Sequence, residues 1–94
     1  MKGIAMVCNR EAVLAALISL LRILCQNETL VPAMDTPLET IPEIDSLILL
    51  QVVAHLEEQF LVEIDVVAID SMEHVGDIVN AICAARPQQH DAGT

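Results

Sequence analysis

Apolar residues recur at helical spacing in three stretches of the chain, separated by segments that proline or acidic residues interrupt. The first predicted helix starts at Asn9, a good N-cap residue, and runs to about Cys25. Its apolar positions (Val13, Leu14, Leu17, Ile18, Leu20, Leu21, Ile23, Leu24) go nearly all the way round, so it needs cover on several sides. The second predicted helix spans Ser46 to about Phe60. Leu49, Val52, Val53, Leu56 and Phe60 share one face at i, i+3, i+4, i+7 and i+11, with Gln51, His55, Glu58 and Gln59 opposite. Leu47 and Ile48 fall off that apolar face and are expected at or near the surface, beside Ser46. A last helix runs from about His74 to Ala85, with Val75, Ile78, Val79 and Ile82 as its buried stripe, and Arg86-Pro87 stops it.

The remaining segments are less regular. Residues 26–45 carry prolines at 32, 37 and 42, which exclude a continuous helix. A connection of about twenty residues is long for a compact domain and tends to be functional. Leu30, Leu38 and Ile41 are the residues able to pin it to the core. Between the second and last helices, Val66 to Asp70 reads as one short helical turn capped by Asp65. The expectation is therefore one all-α domain over residues 1–94, a four-helix bundle, with flexible ends at 1–8 and 87–94. Apolar residues make up 54% of the chain and Phe60 is the sole aromatic, which suits packed helices better than a sheet sandwich.

Charge narrows the range of partners. The net charge is −10, and between Ile23 and Ala85 there are twelve Asp or Glu and no Lys or Arg. Such a field repels phosphate backbones, so nucleic acid is excluded as a partner, and it steers the chain toward basic patches on other proteins. The plainer reading is that the acidity supplies solubility. Cys8, Cys25 and Cys83 contain no C-x-x-C pair, and their odd number argues against a closed disulfide framework. They read as small buried hydrophobes in a reducing compartment, hence a cytoplasmic protein. The longest apolar stretch, Ala12 to Cys25, is interrupted by Ser19 and Arg22 and too short to span a bilayer. Lys2 and Arg10 ahead of it raise a signal peptide, but Glu11 and Arg22 bracket the run and no cleavage site follows promptly.

Enzyme chemistry finds no support. His55 lies nine residues beyond Ser46 on one helix, roughly 13 Å away at about 1.5 Å per residue, so it cannot act as a base for that serine. The i, i+3 pairs His55/Glu58 and His74/Asp77 lack the further ligands of a di-iron site and read as surface polar residues, so no metal site and no catalytic residue is expected. What stands out is Asp45-Ser46-Leu47, where the long loop meets an amphipathic helix. A serine there is ordinarily an N-cap. Its alternative role is to carry a phosphodiester, which the positive end of a helix dipole favours. The tripeptide alone favours the cap.

The wider stretch alters that balance. Ile44-Asp45-Ser46-Leu47, running into Leu56-Glu57-Glu58-Gln59-Phe60 and then Ile64-Asp65, resembles the acyl carrier protein family. The resemblance extends to Val75 and Ile82 without a gap after Ser46. It implies a four-helix bundle of the acyl carrier type with a long first loop and a short third helix. It further implies a 4'-phosphopantetheine arm, transferred from coenzyme A to Ser46 by a phosphopantetheinyl transferase with magnesium held in the transferase complex. The arm's thiol would hold acyl groups as thioesters for a fatty-acid, polyketide or other specialised pathway. Leu56, Ile64, Ile69, Met72, Ile78 and Ile82 are then candidate walls for an acyl pocket. Asp45, Leu47, Ile48, Glu57 and Glu58 are candidates for recognition by enzymes with basic docking patches, and the protein is expected to be a monomer. Departures from the family pattern are Glu43, where glycine is common, Ile48 and Gln51, where acids are common, and the apolar Val66-Val67-Ala68-Ile69. An aminoacyl carrier, or an unmodified helical interaction module in which Ser46 is only an N-cap, are the alternatives.

Overall fold

The computed structural model describes residues 9–87. Of the ends expected to be flexible, 1–8 and 87–94, Pro87 alone is among the described residues, and Lys2 and Cys8 lie outside them. The fold is all-α, with helices α1 (Arg10–Leu24), α2 (Ser46–Phe60), α3 (Val66–Ile69) and α4 (Val75–Ala84). A single 3-10 turn, Leu38–Thr40, interrupts the long first loop.

Each helix begins where its sequence offers a cap. The Asn9 side chain accepts from the N–H groups of Glu11 and Ala12, and the Asp65 side chain accepts from Val67 N–H. Burial then selects one stripe from each helix. Val13, Leu17 and Leu21 of α1 are buried, while Ile23 on its far side is exposed. Val52, Val53 and Leu56 of α2 are buried, and Leu49 and Phe60 are half-buried at the edge of that face. On α4 all four expected stripe residues are buried. Apart from Val53, these stripes meet in one apolar cluster that also takes in Cys25, Leu38 and Ile41. Full burial of one such aliphatic side chain contributes about 1.5–3 kcal/mol, so the three long helices supply most of the stabilisation.

The long loop is held to the core at three places, as Leu30, Leu38 and Ile41 suggested. Leu38 and Ile41 are buried, and Leu30 packs half-buried against the cluster. The Arg22 guanidinium Nε donates to the Leu30 carbonyl at 2.8 Å, tying the loop to the end of α1. Further along, the loop clamps the start of α4. Gly76 N–H donates to Met34 O at 2.7 Å, Val75 N–H to Thr36 O at 2.9 Å, and Leu38 N–H to Glu73 O at 2.8 Å. The approach is so close that a Cβ on Gly76 would stand 2.8 Å from Met34 O. Glycine is required here by contact rather than by backbone conformation.

Two expectations need correcting. Residues Val62–Glu63 (β1) and Arg86–Pro87 (β2) pair antiparallel, so Pro87 belongs to the folded unit and not to a flexible end. The reason is that Pro87 forbids continuation of α4 and leaves the chain extended beside the turn after α2, with Arg86 opposite Glu63. The cysteines are also not all free. Cys25 is a buried free thiol, but Cys83 is disulfide-bonded. An odd count excludes complete pairing, not one bridge, and this bridge weighs against the reducing-compartment argument.

Candidate functional site

The site is built where the long loop ends and α2 begins. Asp45 is the N-cap of α2. Its backbone is extended (φ −146°, ψ −179°) and its Oδ1 accepts from Ile48 N–H at 2.8 Å. Ser46 is consequently the first helical residue, not the cap, and the reading of Ser46 as a structural N-cap is overturned. Asp and Ser are equally good caps in isolation. The chain enters the helix at Asp45, whose side chain points back to the third residue of the helix and leaves Ser46 without that role. Among the described residues no hydrogen bond engages the Ser46 hydroxyl, and the residue is exposed. The N–H groups of Ser46 and Leu47 are likewise without partners among the described residues, whereas Leu49 N–H reaches Asp45 O at 2.9 Å.

The turn into Asp45 is strained. Glu43 sits at φ 70°, a left-handed conformation that costs a residue with a Cβ roughly 1–2 kcal/mol. Glycine would adopt that angle without the penalty. Behind the turn lies Cys25. Burial, and secondarily the carboxylates of Glu43 and Asp45, push its thiol above the usual range, so it stays protonated at neutral pH.

The candidate recognition residues fall into two groups. Leu47 is 64% exposed, Ile48 is half-buried against the core, and Glu58 is exposed. Glu57 is different. Half-buried, it accepts the Ile64 N–H through Oε2 at 2.7 Å and so closes the turn between α2 and β1. Beyond it, α3 presents Val66 and Val67 at 67% and 74% exposure while Ile69 is buried. The six candidate pocket residues differ in burial. Leu56, Ile78 and Ile82 are packed inside the main cluster, Ile64 and Met72 lie half-buried against it, and Ile69 is buried outside it.

His74 and Asp77 belong to the start of α4. Asp77 Oδ2 accepts from the N–H groups of Glu73 (2.8 Å) and His74 (2.9 Å), and His74 Nδ1 stands 3.6 Å from the same oxygen. The two backbone hydrogen bonds are the main reason the Asp77 carboxyl is held below its ordinary value. This pair is a helix cap, and among the described residues no cluster of His, Cys, Asp or Glu could hold a metal ion.

The profile of the family described as the phosphopantetheine attachment site matches residues 11–82, from the first turn of α1 to the last buried residue of α4. The chain belongs to that family. Carrier domains of this kind are sites of covalent 4'-phosphopantetheine attachment, are not themselves catalytic, and work with a phosphopantetheinyl transferase and partner enzymes. Neither a curated protein nor a solved structure gives a significant match. The start of α2 in this carrier fits a phosphodiester, because an exposed, unengaged hydroxyl stands beside two unpartnered N–H groups at the positive end of a 15-residue helix. Among the described residues no helix is long and apolar enough to cross a membrane.

Sequence reasoning missed the structural employment of Glu57 and the strained backbone at Glu43. The first has no local signal, since Glu57 and Ile64 are brought together by the turn between them. The second had one: a non-glycine residue where related chains commonly keep glycine.

Proposed function

We propose that this carrier holds acyl intermediates as thioesters on a 4'-phosphopantetheine arm joined to Ser46, and is not an enzyme. The observation that carries the assignment to Ser46 is its freedom from any structural duty. Asp45 performs the capping, so the serine hydroxyl at the helix start is left open to a transferase. When attached, the arm supplies a thiol on which acyl groups are activated for transfer. The chain's own residues supply the rest: the Ser46 oxygen anchors the phosphate, and the free N–H groups of Ser46 and Leu47 offset its charge.

Partner enzymes would meet α2 and α3. Asp45, Leu47, Ile48 and Glu58, with Val66 and Val67, offer a surface of mixed acidic and aliphatic character, suited to partners that combine basic side chains with an apolar contact. Glu57 would contribute charge there while bonded to Ile64 N–H, so reversing its charge would disturb the turn as well as any docking. An apolar α3 favours a dedicated pathway with its own enzymes. Leu56, Ile64, Ile69, Met72, Ile78 and Ile82 would shelter the chain, and because three of them are already packed together, a loaded acyl group has to part the helices to reach them.

The test is intact-protein mass after incubation with coenzyme A, magnesium and a broad-specificity phosphopantetheinyl transferase. One phosphopantetheine should be gained, and Ser46→Ala should gain none while unfolding within about 0.5 kcal/mol of the parent, since an exposed, non-capping position is replaced. A mutant that still accepts the arm would move the attachment elsewhere. A parent that refuses it, even with a transferase from the native source, would remove the carrier assignment of Ser46.

A further inference from the structure

A cleft of about 510 Å³ opens beside the first turn of α2, between the end of α1 and the last turn of the long loop. Leu24, Cys25 and Ile48, buried or half-buried, form its inner wall, and the more exposed Gln26, Asn27 and Glu43 its polar side. Two residues at positive φ line it, Gln26 at 55° and Glu43 at 70°. Glu43 and Ile48 stand three positions before and two positions after Ser46.

We infer that this cleft is the resting seat of the phosphopantetheine arm in its unloaded, free-thiol form. The inference rests on the carrier reading with Ser46 as anchor, and concerns where the arm lies once attached. Three considerations lead there. The first is chemistry: an arm with two amides, a hydroxyl and a pair of geminal methyls needs hydrogen-bonding groups and a small apolar contact, not a hydrocarbon tunnel. The side-chain amide of Asn27 already accepts from Thr29 N–H and Oγ1 through its Oδ1, which leaves its NH₂ group as a donor. Gln26 and Glu43 add further amide and carboxylate groups, and Leu24, Pro42 and Ile48 offer the apolar contact. The second is access. Of the candidate acyl-pocket residues, Leu56, Ile78 and Ile82 are fully packed in the core, whereas the cleft is already open. Breaking apart close-packed side chains for an arm with no acyl chain would lose apolar contact with nothing to replace it. The third is reactivity: the neighbouring Cys25 thiol is kept protonated and so is a poor nucleophile toward groups placed beside it.

The experiment compares the ¹⁵N- and ¹³C-labelled full chain by NMR before and after arm transfer, with intact mass confirming the loading first. If no mass is gained even with a transferase from the native source, the carrier reading fails and this inference is overturned with it. With loading confirmed, NOEs are expected from the geminal methyl protons to the Leu24 and Ile48 methyls, with amide shift changes at Gln26 and Asn27, twenty and nineteen positions before Ser46. Shift changes confined to residues 45–48 would overturn the proposal by showing an arm free in solvent. NOEs to Ile69, Met72 or Ile78 would overturn it by placing the unloaded arm on the α3 side.

Discussion

The starts of α2 and α4 are built from the same materials and finished in opposite ways. Both are capped through an acidic side chain, Asp45 at one and Asp77 at the other. At α4 the long loop then closes over the end: Met34 and Thr36 carbonyls take the N–H groups of Gly76 and Val75, and Gly76 is pressed against Met34. At α2 none of the described residues closes over the end. Ser46 and Leu47 keep free N–H groups, the serine hydroxyl is unengaged, and the chain reaches the cap through a strained left-handed Glu43. A helix start costs little to leave open where water can solvate its N–H groups. In one molecule the loop seals one start and exposes the other, and the exposed one carries Ser46, the attachment point proposed for the arm.

Four perturbations test that contrast, from the strongest to the weakest. Gly76→Ala should cost about 1–3 kcal/mol in denaturant unfolding, as small-to-large changes against fixed backbone do. It should also loosen hydrogen exchange at the Gly76 amide, and an unchanged stability would mean the clamp is not tight. Next comes Asp45→Ala, expected to lower stability by about 0.5–2 kcal/mol, with Asp45→Asn recovering most of it because the cap bond is kept. If Ser46→Ala proved the more destabilising of the two, the roles assigned to these neighbours would be reversed. Glu43→Gly should raise the unfolding free energy by up to about 1 kcal/mol as left-handed strain is relieved, less glycine's own entropic cost. A loss of stability would show instead that the Glu43 side chain has compensating contacts.

The weakest effect belongs to Asp77. Its carboxyl titrates below the ordinary value of 3.8, chiefly because it is hydrogen-bonded to Glu73 N–H and then His74 N–H. A depressed folded-state pKa stabilises the fold above the unfolded-state value, and that stability is lost as pH falls through the folded-state pKa. Thermal unfolding followed from neutral pH down to about pH 2 should therefore show a small acid-side decline, modest because the exposed carboxylate is screened. Asp77→Asn should flatten that decline, and an identical pH profile for the variant would assign it to other carboxylates.

Local chemistry was legible in the sequence wherever it decided the structure. Asn9 and Asp65 were read as caps and serve as caps, and α2 runs from Ser46 to Phe60 as its apolar period required. The stripe Val75, Ile78, Val79, Ile82 is the buried face of α4. Within the candidate site the choice between Asp45 and Ser46 as cap was not legible, because both residue types favour the position and the backbone path into the helix selects between them. Glu57 was read as a recognition residue, and the fold of the following turn also sets it against Ile64 N–H. The pairing of Val62–Glu63 with Arg86–Pro87 was missed for a related reason: two residues carry no periodicity, and their partners are remote in the chain.

By itself, then, the sequence determined the helices, their buried stripes, the irregularity of the proline-bearing loop and the position of the serine at a helix start, since these follow from propensity, capping and period within a few residues. Only the tertiary structure decided that the loop seals α4 and leaves α2 open, that Gly76 is fixed by contact with Met34, that Glu43 is held at positive φ, and that a cleft remains beside Ser46. Each of these depends on where segments distant in sequence come to rest against one another, and packing free energy, summed over the whole core, settles that placement.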